Sequence, residues 1–405
     1  MRDALILTTY PLKKPYHGGQ QRVIHLMEAY RKAGLHVVSI SMYDPDGYSR
    51  DEVDQLDIPF PHDERYRKIN GQVNNYLADY LSGEYLLSDM SAWFQLSQAI
   101  KKMDIALIHV EHPWLWKVAK RIQQESDSPI ILVYGSANIE SKLKRDILIE
   151  TQNNRISKFE KVLSDIEQLE VMAATQADIV LTVTDKDKKW FLESCPDCRF
   201  LDIPNGTKKI SFNKEEIKNF AKQIDADQWF SFVGSAHPPN FNGFRDRIGQ
   251  SLACLPPTAK LVIVGAVCHF LQPYLLNDPL FFELNSSRTV FFPKAEDDLL
   301  HTILAGSKAI LLPITTGGGS NLKTAEALVA GTHIIGTHQG FRGYEEFSQL
   351  SGVVIADQMD DFKKAIRDVS QRPFLKRSLA DKKKTEKLFW VSRTEKLTKA
   401  VMERI

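Results

Sequence analysis

Short apolar runs alternate with helical stretches along the whole chain, and this alternation restricts the fold more than any other feature of the sequence. In the first cycle, an apolar strand at residues 4–8 is followed by an amphipathic helix at about residues 20–33 and a second strand at residues 36–40. Gly34 stands where the C-cap of that helix belongs. Strands that are separated by helices pair in parallel, and the crossover helices cover both faces of the sheet. The pattern therefore predicts an α/β protein built on parallel sheets.

The rhythm of strands and helices is interrupted once, near residue 205, which predicts two domains. The turn-forming sequence Pro204-Asn205-Gly206 follows a strand there, and the Lys- and Glu-rich residues that run to about 227 have the composition of an interdomain linker. A length of 405 residues suits two or three domains of about 150 residues each. We expect two Rossmann-like domains, residues 1–204 and 205–385, and a charged helical tail, residues 386–405. The other expected elements are strands at 105–110, 130–133, 179–183, 200–203, 229–233, 260–264, 289–292, 309–312, 333–336 and 353–355, and a long charged helix or helix pair at 146–177.

The charge balance and the hydropathy exclude several classes of protein. Lysine and arginine (52) nearly equal aspartate and glutamate (51), which argues against a chain that binds nucleic acid through its phosphates. A hydrophobic fraction of 43% with 25% charged residues excludes wholesale disorder. The first apolar stretch is shorter than the core of a signal peptide, and no run approaches the roughly 18 apolar residues of a membrane-spanning helix. We therefore expect a cytoplasmic protein without a nucleic-acid partner.

The cysteines and the basic clusters each have a plain and a functional interpretation. Four cysteines are too few for a disulfide scaffold and suit a reducing compartment. Cys195 and Cys198 have half the spacing of a zinc site without a second pair nearby, so we expect neither metal binding nor redox chemistry of them. The clusters at residues 13–14 and 142–145 are typical of solvated faces, the alternative being a peripheral contact with acidic lipid at the inner face of a membrane.

A glycine-rich segment in the second half is the most informative motif. In residues 311–328, an apolar strand leads into three consecutive glycines, residues 317–319, and then into a helix that starts near Ser320 or Asn321. Glycines let a ligand approach the backbone, and the N–H groups at a helix start favour an anion such as a diphosphate. The plain alternative is a strand, a glycine-rich bend and a helix with no ligand. We predict an anion site.

Two charged residues follow on the same face of that helix. Lys323 lies in the first turn, beside the expected anion, and Glu326 follows one turn later. A carboxylate at this place can accept two hydrogen bonds from a ribose diol; the alternative is a surface ion pair. Leu322 occupies the position where a P-loop requires glycine, which excludes that motif. The first strand is not followed by G-x-G-x-x-G, so the nicotinamide fingerprint is missing as well.

The first domain offers two candidate sites at strand ends. Gly18 and Gly19 follow the first strand and open a helix, which predicts a second place where an anion or sugar approaches the backbone. His109, Glu111 and His112 end a central strand, and ligands bind at the carboxyl ends of parallel strands. Side-chain alternation places His109 and Glu111 on one face. The plain alternatives are glycines that only turn the chain, and one buried structural histidine beside two loop residues.

Taken together, these segments resemble the family 4 retaining glycosyltransferases of the GT-B fold. Residues 313–337, which include Glu-Ala-Leu-Val-Ala-Gly-Thr-His-Ile-Ile-Gly, carry most of the resemblance. Residues 18–22, 177–184, 203–206, 232–240 and 293–299 agree with it in order and placement. The resemblance covers nearly the whole chain. It implies two domains that face each other across a cleft, an acceptor in the first, a nucleotide-sugar in the second, and a terminal helix that returns to the first domain and is anchored by Phe389 and Trp390.

The activity implied by the resemblance is transfer of a sugar from a nucleoside-diphosphate sugar to an acceptor hydroxyl, with retention and without a metal or cofactor. It leaves open a UDP or GDP donor, and a glycan, a lipid-linked or a small-molecule acceptor. The catalytic candidates are His109, Glu111, His112 and Lys323. The donor-binding candidates are Gly18, Gly19, Ser235, His237, Lys294, Gly318, Gly319, Ser320, Asn321, Leu322, Lys323 and Glu326.

The sequence departs from the family pattern at one important position. The family commonly has two glutamates separated by seven residues; counting back eight from Glu326 gives Gly318. His237 likewise stands where a more basic partner is common. We expect the backbone amides of Gly318 and Gly319 to make part of the sugar contact, which leaves Lys323 as the chief charge on the diphosphate. The alternatives are a nucleotide-sugar epimerase or another sugar enzyme of the same fold, and a non-catalytic nucleotide-sugar-binding paralogue.

Overall fold

A computed structural model gives the fold, and it describes residues 2–151, 156–317 and 320–405. The chain forms two compact units. The first contains Met1–Pro204 together with Arg393–Ile405, and the second contains Asn205–Ser392. Each unit is built on its own parallel sheet.

The first unit contains a seven-stranded sheet surrounded by helices. Its strands are β1 (Asp3–Thr8), β2 (His36–Tyr43), β3 (Ile58–Pro59), β4 (Lys68–Ile69), β5 (Gln72–Val73), β6 (Ile105–Glu111), β7 (Ile131–Ser136), β8 (Ile179–Thr182) and β9 (Phe200–Asp202). Its helices are α1 (Gly18–Lys32), α2 (Glu64–Arg67), α3 (Ala78–Ser88), α4 (Met90–Ile100), α5 (Trp116–Gln124), α6 (Glu140–Thr151), α7 (Glu160–Gln176) and α8 (Asp185–Ser194), with short 3-10 turns at Asn75–Leu77 and Ile156–Phe159. The sheet order is β3-β2-β1-β6-β7-β8-β9, all parallel, and β4 and β5 form a separate antiparallel pair.

Alternation along the central strand supplies two cores, one on each face of this sheet. Leu5 and Leu7 of β1 pack into the core on one face, with residues of α4, α5 and α7. Ala4 and Ile6 point the other way and pack with residues of α1. Because successive side chains of a strand point to opposite faces, a run that is apolar throughout indicates a strand covered on both sides. This is the arrangement that the sequence predicts.

The second unit repeats this plan with a six-stranded sheet. Its strands are β10 (Gln228–Val233), β11 (Ala259–Val264), β12 (Thr289–Phe292), β13 (Ala309–Leu312), β14 (His333–Gly336) and β15 (Val353–Ile355), in the order β12-β11-β10-β13-β14-β15 and all parallel. Its helices are α9 (Lys214–Gln223), α10 (Pro238–Arg247), α11 (Cys268–Leu276), α12 (Phe282–Ser286), α13 (Asp297–Gly306), α14 (Leu322–Ala330), α15 (Met359–Gln371) and α16 (Leu379–Thr385), with 3-10 turns at Gln339–Phe341, Glu345–Phe347 and Glu386–Leu388. The predicted α/β class is confirmed.

The expected interdomain linker is wrong in one respect, because it contains a helix of the second unit. Helix α9 occupies the middle of this Lys- and Glu-rich stretch. Its Phe220 is buried and lies edge-on to Trp229 of β10, with the ring centroids 5.2 Å apart. Ile217, Phe220 and Ile224 recur at helical spacing and pack on the sheet. The charged residues between them conceal this apolar stripe when composition alone is considered.

The C-terminal residues divide between the two units. The last helix, α17 (Trp390–Met402), begins in the second unit and ends in the first. Phe389 and Trp390, the expected anchor, both lie in the second unit, where Thr207 exchanges backbone hydrogen bonds with this segment. The side chains that join the core of the first unit come later in the helix; they are Leu397, Ala400 and Val401.

Two further findings concern the cysteines and membrane insertion. Cys195 and Cys198 form a disulfide between α8 and β9, which the sequence analysis did not expect. Cys254 and Cys268 are free and buried. Within the described ranges, no helix has both the length and the apolar character that crossing a membrane requires.

Candidate functional site

The carboxyl end of β6 holds a buried network of charged and polar side chains. Glu111 accepts a hydrogen bond from Nε of Arg22 at 3.0 Å through one carboxylate oxygen, and the other lies 2.8 Å from Nε2 of His109. Nδ1 of His109 hydrogen-bonds with the Tyr30 hydroxyl at 2.7 Å. Burial alone would raise the pKa of Glu111, but the Arg22 charge and the His109 contact outweigh it and lower that pKa. The structure thus holds a fully buried carboxylate in the ionised state.

This network places its members in the interior of the first unit. Arg22 is not available to an anionic ligand, because Glu111 and the carbonyl oxygen of Ile203 (2.8 Å) hold its guanidinium in the interior. His109 and Glu111 share a face as predicted, yet the exposed fraction of each residue is at most 1%. Their position suits the plain alternative for His109, a structural histidine, and a positioning role for the pair.

His112 is the member of this group that reaches the edge of the sheet. Its φ of 62° places it in the left-handed region and ends the strand, so that its side chain leaves the face shared by His109 and Glu111. Its Nδ1 lies 2.8 Å from Oε1 of Glu140, and its Nε2 lies 3.5 Å from the Tyr10 hydroxyl. Burial lowers the pKa of His112, but the Glu140 carboxylate outweighs burial and raises it. Glu140 therefore favours the protonated form of the His112 imidazole.

A second buried acidic residue, Glu170, positions Glu140, the partner of His112. Glu170 of α7 accepts hydrogen bonds from the backbone N–H groups of Glu140 and Ser141, at 2.5 and 3.0 Å, and so caps the start of α6. Burial raises the pKa of Glu170 to about 8. Asn138 donates to the Glu140 carboxylate at 3.3 Å. Sequence reasoning missed Glu170, because nothing in α7 marks one glutamate among several as buried.

Gly18 and Gly19 form the first turn of α1 beside this site. His17 is the N-cap, and its imidazole accepts a hydrogen bond from the Gln20 N–H. A Cβ on Gly19 would lie 3.0 Å from the Tyr10 hydroxyl oxygen, the group next to His112. Burial lowers the pKa of His17 to about 4, so this cap is neutral. The close approach of Tyr10 explains a glycine at position 19.

In the second unit, the start of α14 collects the predicted donor-binding residues. Asn321 is the N-cap, but its amide donates to Thr324 and to the Gly340 carbonyl, so its side chain does not cap the first N–H groups of the helix. Nζ of Lys323 donates to Oδ1 of Asn240 at 2.6 Å. Asn240 in turn donates to Ser235 at 2.9 Å. The chain of contacts joins the ends of β10 and β13, which are neighbours in the sheet.

Lys323 and Glu326 carry shifted pKa values in this half-buried position. Burial lowers the pKa of Lys323 to about 8, against the opposing effect of Glu326. Burial likewise raises the pKa of Glu326 to about 7, although Lys323 opposes it. Glu326 makes no hydrogen bond or ion pair with any residue in the described ranges, so the plain alternative of a surface ion pair is wrong there. A half-buried carboxylate of this kind is suited to a ligand that donates hydrogen bonds.

Arg342 is a cation near this site that the sequence analysis missed. It follows β14, and a Cβ built on Gly317 would lie 3.3 Å from one of its guanidinium nitrogens. Gly317 has a φ of 117°, which glycine adopts readily and other residues avoid. The guanidinium therefore lies directly against the loop that leads into α14. The sequence shows Arg342 only as a basic residue shortly after the next strand. Because its distance along the chain from the glycines is not fixed, the glycine motif did not point to it.

The remaining donor-binding candidates are exposed, half-buried at the start of α14, or outside the described residues. His237 is exposed and forms the N-cap of α10, and Lys294 is exposed beyond β12, at the edge of the sheet. Ser320 and Leu322 are half-buried at the start of α14, next to Asn321. Gly318 and Gly319 lie outside the described residues. Within the described ranges, no group of three or more His, Cys, Asp or Glu side chains is arranged to hold a metal ion.

The comparisons with known proteins identify the fold. No protein-family model matches the chain, and no curated protein matches it in sequence. Sucrose-phosphate synthase from Thermosynechococcus elongatus superposes with a TM-score of 0.66 at 14% identity, covering 99% of each chain. HepE from Anabaena, in complex with UDP and glucose, gives 0.64 at 12%, over 99% of this chain and 100% of that one. The catalytic domain of starch synthase IV from Arabidopsis thaliana, bound to ADP and acarbose, gives 0.62 at 14% over the whole of both chains.

These structures are glycosyltransferases of the GT-B fold, and the chain has that fold. The fold implied by the sequence resemblance is thereby confirmed. Identities of 12–14% carry no activity from one protein to another.

Proposed function

We propose that the chain is a glycosyltransferase that moves a sugar from a nucleoside-diphosphate sugar to an acceptor hydroxyl, with retention of configuration and without a metal ion or cofactor. The second unit would bind the donor and the first unit the acceptor. The observation that carries the proposal is the start of α14. Lys323 lies there with the carboxylate of Glu326, which has no hydrogen-bond partner among the described residues, and the side chain of the N-cap Asn321 leaves the first N–H groups uncapped. The GT-B fold supports it independently.

The donor site follows from the charges at this helix start. A diphosphate is held by N–H groups of the first turn, where the helix dipole favours negative charge. Lys323 and Arg342 place two cations on either side of that turn. As the bond to the sugar breaks, negative charge builds on the diphosphate, and fixed donors stabilise it without reorganising. Glu326, one turn further, accepts hydrogen bonds from the ribose diol.

The network in the first unit serves the reacting sugar. The imidazole of His112 is held by Glu140, which Glu170 positions in turn. We assign His112 to contact with the sugar or the acceptor hydroxyl. Because Glu111 and His109 are buried behind it, we assign them to positioning: they fix the end of β6 from which His112 projects. A rigid support of this kind keeps a catalytic group within the narrow geometry that transfer requires.

Calorimetric titration with UDP, GDP and ADP tests the donor site directly. We expect one of these nucleotides to bind, and Lys323→Ala to weaken it about 10- to 100-fold, because a charge-assisted hydrogen bond contributes about 1.5–3 kcal/mol. Glu326→Gln should weaken the nucleotide while leaving free diphosphate unaffected. Lys260→Ala is the matched control; Lys260 lies at the amino end of β11, on the opposite edge of the same sheet, and its loss should change nothing.

Transfer itself is tested by NMR of nucleotide-sugars with and without candidate acceptors. Release of nucleoside diphosphate with retained configuration at the anomeric carbon supports the proposal. Conversion of the sugar without an acceptor and without release of the diphosphate indicates an epimerase instead. Absence of nucleotide binding in all three titrations contradicts the assignment altogether.

A further inference from the structure

The first unit contains a cavity of about 240 Å³ at the carboxyl ends of β1 and β2. We call it the strand-end cavity. Thr9 and Asp44, which directly follow the two strands, line one side of it, and Tyr48, Tyr76, Asp79 and Lys144 line the others. Pockets for drug-sized ligands measure about 300–1,000 Å³, so a cavity of this size suits a single small ring.

The charges around the strand-end cavity are paired. Both acceptor oxygens of Asp44 are bonded by the buried Arg67 guanidinium, at 2.9 and 3.0 Å. Nζ of Lys144 lies 2.6 Å from the carboxylate of Asp79 and donates to the Tyr76 carbonyl as well. The sequence analysis expected Lys144 on a solvated face, and these contacts show that this expectation is wrong. Every described cation at this cavity is neutralised, so an anionic ligand finds no free positive charge.

The two carboxylates retain acceptor capacity on the side of the cavity. Their side chains are 33% and 29% exposed, for Asp44 and Asp79 respectively. A carboxylate has about four lone-pair positions. Asp44 uses three of them in the described contacts, two for Arg67 and one for the N–H of Asp46. Asp79 uses two, one for Lys144 and one for the N–H of Tyr80. Groups that donate hydrogen bonds, such as hydroxyls, match what remains; phosphates and carboxylates, which only accept, do not.

An aromatic ring completes this surface. Tyr76 lines the cavity and is 49% exposed. Aromatic side chains offer an apolar body together with a polar tip. The C–H face of a pyranose packs on such a ring while its hydroxyls reach the carboxylates.

The strand-end cavity also adjoins the network around His112. Thr9 precedes Tyr10, whose hydroxyl lies 3.5 Å from Nε2 of His112. Lys144 follows Glu140, the partner of His112, by one turn of α6. Tyr48 hydrogen-bonds with His17, the N-cap beside Gly18, at 3.4 Å. A ring held in the cavity is thus next to the side chain assigned to the transfer reaction.

We infer that the strand-end cavity binds one uncharged pyranose ring of the acceptor. This inference rests on the proposed function, since it names the acceptor class for that reaction. It excludes sugar phosphates and uronic acids from this position.

The test uses the full chain without nucleotide and the probes methyl α-D-glucopyranoside, methyl α-D-galactopyranoside, methyl α-D-mannopyranoside and glucose 6-phosphate. Saturation-transfer NMR and competition titrations measure their binding. We expect at least one neutral glycoside to bind with a Kd of about 1 mM, as suits so small a ligand, and glucose 6-phosphate to bind at least 10-fold more weakly. Tyr76→Ala, at a half-exposed ring, should weaken the glycoside about 10-fold without affecting folding.

A charge variant separates recognition from structural effects. Asp79→Asn removes one acceptor and releases the charge of Lys144, so it should lose affinity for the neutral glycoside and gain affinity for glucose 6-phosphate. Loss of structure alone would lower both affinities. Asp104→Asn, at the opposite edge of the sheet before β6, is the control and should change neither.

Two results overturn the inference. One is tighter binding of glucose 6-phosphate than of every neutral glycoside by the unmodified chain. The other is a glycoside signal that Tyr76→Ala does not weaken. Absence of a signal from every glycoside overturns the inference as well. Titration of the same samples with UDP and GDP keeps the two proposals apart. Nucleotide binding without glycoside binding contradicts the cavity alone, and glycoside binding without nucleotide binding contradicts the donor site alone.

Discussion

Replacing Gly135 by alanine perturbs the buried network through a single added methyl group. Gly135 belongs to β7, the strand next to β6, and pairs with Glu111 across the sheet. A Cβ built there would lie 2.0 Å from Oε2 of Glu111 and 2.9 Å from Nε2 of His109. The φ of Gly135 is not in the left-handed region, so alanine meets no backbone strain. The whole effect of Gly135→Ala therefore comes from the collision with the carboxylate.

The magnitude follows from what Glu111 must give up when it moves. Ordinary contacts of a Cβ begin near 3.4 Å, so the carboxylate has to shift by more than 1 Å. Both of its oxygens are bonded, to Arg22 and to His109, and no water replaces these partners in a fully buried place. Breaking a buried pair of this kind costs about 3–5 kcal/mol. At about 2–4 °C per kcal/mol for a unit of this size, the melting temperature should fall by about 6–20 °C.

Thermal unfolding of the variant, followed by calorimetry, measures this loss, and NMR of the Arg22 Nε–H group reports the bond itself. Gly47→Ala is the matched control in the same unit. The nearest atom to its added Cβ is the Asp44 carbonyl oxygen at 3.6 Å, an ordinary contact, so its stability should stay within about 0.5 kcal/mol of the unmodified chain. Equal melting temperatures for the two variants, or an unchanged Arg22 signal in Gly135→Ala, would refute the reasoning.

Three further outcomes follow from the shifted pKa values and the disulfide. The affinity for a nucleoside diphosphate should rise as the pH passes about 7, because Glu326 ionises, and fall above about 8, because Lys323 loses its proton. Calorimetric titration from pH 6 to 9 measures this profile. An affinity that does not change with pH would mean that neither group contacts the ligand. The pKa of Glu170 is about 8, above its ordinary 4.5, so the unmodified chain loses stability as the pH rises between these values. Glu170→Gln lacks this loss, so from pH 5 to 8.5 the difference between the two melting temperatures should shift in favour of the variant. A constant difference contradicts the assignment. Reduction of Cys195–Cys198 should cost about 2 kcal/mol, and a melting temperature unaffected by dithiothreitol would contradict the bond; the variant with serine at both positions is the control.

The sequence predicts the two sheets well because their strands are apolar on both faces. Every expected strand is present, and the ends differ by only a few residues. β2 continues to Tyr43, β6 to Glu111 and β7 to Ser136, beyond the predicted ends. These extensions contain buried polar residues, Ser41, Glu111 and Ser136, and an apolar pattern stops before them. Glu111 belongs to the candidate site.

Partners that are distant in sequence are what the pattern could not reveal. Arg22 and Lys144 both have the composition of surface cations, and both are buried against carboxylates, 89 and 65 residues away in the chain. The sequence shows that a residue is basic, but it does not show which strand or helix carries the carboxylate that pairs with it. The same limit applies to Asn240, whose contact with Lys323 spans 83 residues. The predicted residue types at the donor site therefore stand, while their mutual arrangement required the structure.

The division of α17 between the units has a consequence for how the protein is made. Leu397, Ala400 and Val401 complete the core that β1 and α1 begin, although synthesis delivers them almost four hundred residues later. Domains generally fold as units while the chain emerges from the ribosome, the N-terminal one first. Here the N-terminal unit leaves the ribosome with an unfilled apolar seam on α1, and it cannot close until translation has passed the whole of the second unit. A nascent chain stalled before residue 393 would expose that seam to chaperones and proteases.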